Sequence, residues 1–355
     1  MENMMLPTEL ADMIGVEQSI PKVNFTEHMG LLISEPKWGK TTIGSLLPRS
    51  IFFPFEKGDG SAVIPNRLKK LNCWEDFVNF INVFEMNREK FGDKIRMAVF
   101  DTANEMWNFC EDYIIRREAL KANEAYKNIG DIPHGKGYTF KTNEFNKQIK
   151  RLIKLGVNPF FITHSKTKTV RPKNGDPYEI SSTTMDDRLS AIIMPLVDYI
   201  ISGQRKTVIN PDTGESKRTR VLVNIEDGMV TAGGRNYLNV NIPFDTEQEA
   251  IEKFQEVFKE GIKRKLADRG INRDFDELAK EQEQESLNEA IQYASEHVLK
   301  PKEECIVEIR EKVKADPKIQ TLIVKYMQDN NVTLSDDTDI EHIRDMIEII
   351  HSAEK

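Results

Sequence analysis

The chain alternates between short apolar runs and longer segments in which apolar residues recur every three or four positions. Runs of the first kind lie near residues 28–33, 50–56, 95–101, 157–163, 198–204 and 219–226 and predict strands; the second kind, near 40–47, 74–90, 103–126, 139–155 and 186–196, predicts helices. A run that is apolar throughout, such as Met97-Ala-Val-Phe100, suits a strand covered on both faces. This broadly alternating order of strands and helices predicts an α/β fold with a mainly parallel sheet, which gathers its ligands at the carboxyl ends of the strands. Two short runs, 219–226 and 229–232, flank Asp227-Gly228 and predict a hairpin at the sheet edge.

Beyond Pro243 the pattern becomes helical only, with stretches at 246–268, 273–298, 302–314, 317–329 and 338–353. The expected organisation is an N-terminal extension over 1–24, an α/β core over 25–244 and a helical module over 245–355. Charge changes at the same place. Residues 245–355 carry 28 acids against 17 bases, whereas residues 1–244 carry 30 against 33, so the overall −8 conceals a mildly basic core and an acidic tail.

The first strand run leads into the richest chemistry of the chain. Gly30-Leu-Leu-Ile-Ser34 breaks into Glu35-Pro-Lys-Trp-Gly-Lys-Thr-Thr42, and a helix follows at once. A strand that feeds a tight loop into a helix N-terminus leaves several backbone N–H groups pointing one way, beside the positive end of the helix dipole. That is a cradle for phosphates. The pattern G-x-x-x-x-G-K-[ST] is met with Ser34 in its first position, and it predicts ATP and Mg2+ as cofactors. Ser34, Glu35, Pro36, Lys37, Trp38, Gly39, Lys40, Thr41 and Thr42 form the expected loop. Lys40 would reach the β- and γ-phosphates and Thr41 the metal, and the Trp38 ring could cover the nucleotide or a neighbouring subunit.

Two more strand runs close on acids. Asp101 ends the 95–101 run, where a carboxylate meets the metal shell, and Glu56 ends the 50–56 run, where it could polarise an attacking water. Pro54 weakens the second assignment, because proline cannot donate to a ladder. Trp74 and Trp107 fall within helices and are expected in the core.

Residues 141–173 hold nine bases against the single Glu144. Lys147, Lys150, Arg151 and Lys154 lie on one predicted helix, where a charged stripe reads either as a solvated face or as part of a nucleic-acid footprint. Lys166, Lys168, Arg171 and Lys173 follow a strand end and enter what reads as a long loop rich in Ser, Thr, Lys, Gly and Pro.

At 355 residues and 39% hydrophobic, the chain can bury a full core. No stretch approaches eighteen uncharged apolar residues, and the first base is Lys22, so neither a membrane span nor a signal peptide is expected. A soluble, cytoplasmic protein is expected. Cys73, Cys110 and Cys305 lack the spacing of a zinc site or a disulfide framework.

The order of Ser34-Glu-Pro-Lys-Trp-Gly-Lys-Thr-Thr42, Glu56, Asp101 and Asn158-Pro-Phe-Phe-Ile-Thr-His164-Ser-Lys166 resembles the RecA-like P-loop core. More narrowly, it is similar to phage-encoded RecA-like ATPases of the AAA-type nucleotide-binding family, some of which act as single-strand annealing proteins in phage recombination. The resemblance covers roughly residues 25–244. It implies an ATPase, in the host cytoplasm if phage-encoded, with Glu56 as catalytic base beside Lys40 and His164 as the γ-phosphate sensor, where RecA has a glutamine. It further implies a DNA-binding loop over 165–188, a first DNA loop over 128–137 that includes Lys136, and single-stranded DNA and further copies of the chain, in a ring or filament, as partners. A cation from a neighbouring subunit could complete the site, with Arg235 and the cluster Lys217-Arg218-Arg220 as candidates. The acidic C-terminal module could recruit a single-strand-binding or other replication protein. Two alternatives stay open: a nucleotide-gated DNA-binding scaffold with little turnover, and a small-molecule kinase.

Overall fold

The computed structural model describes residues 10–354 apart from 11–12, 17–18, 59, 61, 174–175, 210–213, 215, 226–227, 235–237, 239, 298–301, 336–337 and 339. Its strands are β1 (Gly30–Ser34), β2 (Ser50–Pro54), β3 (Met97–Asp101), β4 (Asn158–Val170), β5 (Tyr178–Thr183), β6 (Tyr199–Ile209), β7 (Ser216–Val223), β8 (Gly233–Gly234) and β9 (Ile242–Phe244). Its helices are α1 (Lys40–Ser45), α2 (Trp74–Met86), α3 (Arg88–Phe91), α4 (Ala103–Ala122), α5 (Lys136–Lys154), α6 (Asp187–Leu196), α7 (Glu247–Asp268), α8 (Phe275–His297), α9 (Lys302–Ala315), α10 (Pro317–Asn330) and α11 (Ile340–Glu354).

The strands form one sheet in the order β2-β3-β4-β1-β6-β7-β9, with β5 on β4 and β8 on β6. From β2 to β6 every pairing is parallel; β5, β7, β8 and β9 add antiparallel pairings. The parallel part is buried on both faces, which is why its sequence shows continuous apolar runs rather than alternation: Leu31, Leu32 and Ile33 are all fully buried. Pro54 is tolerated as the last residue of β2, the strand at the end of this order.

Two expectations fail in instructive ways. The expected long loop after 163 is a hairpin: β4 continues to Val170 and pairs antiparallel with β5, Lys166 opposite Ser182 and Lys168 opposite Ile180. The Thr, Val, Tyr and Ile residues of 167–180 are strand formers, and they outweighed the lysines, glycine and prolines that suggested a loop. The expected hairpin of 219–226 with 229–232 does not form. β7 pairs instead with β6 and β9, Val230 and Thr231 run beside Ser181 of β5, and Asp227 lies outside the described residues.

Compactness groups the chain into two units that differ from the expected boundaries at 24/25 and 244/245. The first unit joins residues 1–72, 92–107 and 156–288; the second joins 73–91, 108–155 and 289–355. The first unit retains α7 because one face of that helix is core. Ala250, Ile251, Phe254, Phe258, Ile262 and Leu266 join Phe25, Phe160 and Tyr199 in one buried cluster. Phe254 meets Phe25 edge-on at 5.5 Å. Thr246 opens the helix with a reciprocal cap, its hydroxyl accepting from the Glu249 N–H while Glu249 accepts from the Thr246 N–H. At the other end Val23 is buried in the same cluster and donates to Gln282 at 2.9 Å.

In the second unit three bases of α5 are held by acids, while Lys150 and Lys154 are exposed. Lys141 is buried and meets Glu111 at 2.6 Å, Lys147 meets Asp345 at 2.6 Å, and the Lys154 ammonium lies 5.1 Å from the Tyr293 ring centroid. Arg151 and Arg344 share the buried carboxylate of Glu85 at 3.0 and 2.9 Å, and burial pushes that carboxylate up from its ordinary pKa. Lys141, Lys147 and Arg151 are therefore held in ion pairs rather than presented as a solvated stripe. Trp74 is fully buried with its indole N–H on Glu144 at 2.9 Å, and α9, α10 and α11 close their own core around Ile309, Ile323, Ile343 and Met346.

Replacing Phe254 by alanine should cost about 3–5 kcal/mol of unfolding free energy, the range for a buried aromatic deletion. Urea unfolding reads it. A loss under about 1 kcal/mol would show that α7 is not part of this core.

Candidate nucleotide-binding site

The phosphate loop is a bend between β1 and α1 whose conformation falls on two residues. Lys37 (φ 61°) and Gly39 (φ 113°) take left-handed angles, whereas Ser34 is the last residue of β1 and does not. That explains why serine serves where the pattern prefers glycine. Its side chain also needs room, and β6 supplies it: Gly203 pairs with Ser34, and a Cβ at 203 would lie 2.7 Å from Ser34 Cβ and 2.9 Å from the Trp38 ring. Gly203 was not singled out in the sequence; its only signal there is a glycine inside a strand run.

Trp38 is buried, stacks edge-on with Phe244 at 5.4 Å and donates its indole N–H to the Gln204 carbonyl at 3.2 Å. The expectation that its ring covers a nucleotide or a neighbour is therefore overturned. The indole is an anchor that nails the loop to β6. Glu35, Pro36 and Lys37 are exposed at the turn, and Thr42 lies in the first turn of α1.

Lys40 is almost fully buried and donates to the Ser34 and Glu35 carbonyls at 3.1 and 2.8 Å. Its ammonium also lies 3.2 Å from His164 Nδ1, while His164 Nε2 lies 3.1 Å from Glu56 Oε2. An ammonium can only donate, so a charged Lys40 makes Nδ1 the acceptor and places the ring proton on Nε2, from which it is donated to Glu56. The neutral imidazole thus bridges the lysine and the carboxylate. The arrangement comes from register: Ser34 pairs with His164 across β1 and β4, and the Glu56 N–H donates to the Asp101 carbonyl at 2.8 Å, tying the chain after β2 to the end of β3.

Thr41 donates its hydroxyl to Asp101 Oδ2 at 2.7 Å. Burial pushes the Asp101 carboxyl up from its ordinary pKa, opposed by that hydrogen bond. Among the described residues no group of three or more His, Cys, Asp or Glu could form a metal cage by itself. One hydroxyl beside one carboxylate suits Mg2+, which keeps waters and takes the rest of its octahedron from phosphate oxygens.

The structure thus brings Lys40, Thr41, Glu56, Asp101 and His164 together at the ends of four adjacent strands. Trp107 is nearly buried and bonds Asp186 at 2.9 Å. Lys166, Lys168, Arg171 and Lys173 are exposed along β4 and its turn, and Lys136 opens α5 in the second unit. Residues 128–135 are two 3-10 turns, the first held by an Asn128–Asp131 capping box. Arg235 lies outside the described residues. Arg220 does not project toward a neighbour: it donates to the Trp38 carbonyl of its own phosphate loop at 3.3 Å and pairs with Glu247. Arg205 pairs with Glu35 beside it, which residue spacing gave no reason to expect.

A parallel sheet with a glycine-lysine-threonine loop at the carboxyl end of its central strand, a metal-ready Thr–Asp pair and a buried lysine defines a P-loop nucleotide-binding protein. A family model described as an AAA domain matches residues 26–236, and the chain belongs to that family. Membership carries nucleotide binding, typically with Mg2+, and points to ATPase activity in general. No curated protein matches the chain. Among the described residues no helix is long and apolar enough to cross a membrane.

Burial holds the Lys40 ammonium down to about 8 from 10.5. Between those values the unfolded chain binds more protons, so stability of the nucleotide-free protein rises across this window. Bound phosphates favour the charged form, and ATP binding should therefore take up a proton near and above pH 8. Calorimetry in buffers of different ionisation enthalpy reads the uptake; it should vanish in Lys40→Met, and equal uptake in that variant would contradict the assignment.

Proposed function

We propose that this protein is a Mg2+-dependent ATPase that hydrolyses ATP with Glu56 as base and binds single-stranded DNA through the β4–β5 arm, serving phage DNA recombination, annealing or replication. The observation that carries this reading is the continuity of β4. His164, which bridges Lys40 and Glu56, lies on the same strand and the same face as Lys166 and Lys168, because side chains alternate with period two. A γ-phosphate that draws Lys40 away from His164 would free Nδ1 and alter the imidazole's hold on Glu56. The same displacement would be felt along β4. Phosphate contacts from exposed lysines give affinity without base specificity, in keeping with annealing of arbitrary sequence.

Assembly of several copies and recruitment of a replication partner by the acidic region 245–355 belong to this proposal as well. Residues Lys166, Lys168, Arg171 and Lys173 would meet the DNA backbone, and Lys136 is a separate candidate for a DNA contact.

Phosphate release from Mg·ATP, with and without single-stranded DNA, tests the reading. DNA should stimulate turnover, Lys40→Ala should abolish it with weaker ATP binding, and Glu56→Gln should abolish it while ATP stays bound. Absent hydrolysis with ATP-raised DNA affinity would favour a nucleotide-gated scaffold, and no response to DNA would remove the nucleic-acid assignment. Replacing Lys166 and Lys168 by glutamine should reduce the slope of log K against log salt by about 1.4, at about 0.7 per lost phosphate contact. An unchanged slope would place the DNA elsewhere.

A further inference from the structure

The γ-phosphate machinery lies to one side of β1. Asp101, Glu56 and His164 end β3, follow β2 and lie on β4, and in sheet order all three strands are on the β4 side of the phosphate loop. A triphosphate laid across the N-terminus of α1 with its γ end there must carry its nucleoside out on the other side, over β6, β7 and the N-terminus of α7. A pocket of about 400 Å³ lies there, lined by Arg205, Arg218, Thr219, Arg220, Phe244 and Asp245. Its size is within the range of small-ligand sites.

We propose that this pocket holds the nucleoside of the bound nucleotide, with the Arg220 guanidinium as the platform for the base. The inference rests on the nucleotide reading above. Arg220 is built into place from three directions. Its guanidinium carbon lies 4.9 Å from the Phe244 ring centroid, so one flat face is already seated on an aromatic ring. Its edges donate to the Trp38 carbonyl at 3.3 Å and the Asp245 carbonyl at 2.7 Å, and it pairs with Glu247. A guanidinium fixed in that way presents a plane, and a planar cation stacks on a purine as it does on an aromatic side chain. Arg220 joins this pocket's wall to the phosphate loop. A Cβ on Gly39 would lie 2.9 Å from Arg220 Nη1 and 2.8 Å from Glu247 Oε1, so the guanidinium touches the turn that leads into Lys40. Arg205 closes the near wall, paired with Glu35 and donating to the Lys37 carbonyl at 3.4 Å.

The distinguishing prediction is that Arg220 recognises the nucleoside and not the phosphates. Binding of Mg·ATP and of Mg·tripolyphosphate, which lacks a nucleoside, is measured by calorimetry on the full chain. Arg220→Ala should weaken ATP about tenfold, the order of one lost stacking contact, and leave tripolyphosphate unchanged. Arg220→Lys, which keeps the charge and loses the plane, should weaken ATP to a similar extent. Unchanged tripolyphosphate binding also shows that both variants fold. Equal loss for both ligands would make Arg220 a phosphate contact or a support of the phosphate loop and overturn the inference, as would no loss for either. Lys40→Ala should weaken both ligands; if it weakens neither, or if the native chain binds neither, the nucleotide reading falls and the subsite with it.

Discussion

The ammonium of Lys40 is the point on which the site turns. It is a charge taken out of water, and burial makes it costly. It is held because two carbonyls at the end of β1 and one imidazole nitrogen accept its three protons. That requirement fixes the curl of the phosphate loop, the tautomer of His164 and, through the other ring nitrogen, the position of Glu56. A buried ammonium whose direct acceptors are all neutral is an inviting receptor for phosphate: an incoming γ oxygen offers a charged acceptor in their place.

The same economy of placement explains the surrounding residues. Trp38 could not serve both as a lid and as the anchor that holds the loop against β6; its burial and its bond to Gln204 settle it as the anchor. Gly203 gives the space that Ser34 and Trp38 need, so a substitution in the loop and a glycine on another strand are two halves of one packing solution. Helix α7 lies beyond the α/β alternation in sequence, yet it buries Phe254 and Phe258 with the core and brings Glu247 to Arg220 at the mouth of the site.

The parallel sheet was legible because strands buried on both faces leave continuous apolar runs, and the phosphate loop because its chemistry is compressed into nine consecutive residues. The β4–β5 arm was not, because its lysines, Gly175 and prolines look like loop while its alternate Thr, Val, Tyr and Ile pair as strand. The basic stripe of α5 misled for another reason. Local spacing places Lys141, Lys147 and Arg151 on a helix but carries no sign of Glu111, Asp345 or Glu85, whose positions depend on tertiary packing. Arg220 beside its own phosphate loop is a similar case, since 180 residues of sequence separate it from Lys40.

In the proposed coupling, nucleotide at Lys40 is felt through His164 along β4. Hydrogen exchange of the amides of residues 165–183, with and without a non-hydrolysable Mg·ATP analogue, tests it most directly. Exchange of this arm should slow when the analogue binds, and that response should be lost in His164→Ala while residues 34–42 remain protected. Protection of 34–42 with no change along the arm in the native chain would contradict it.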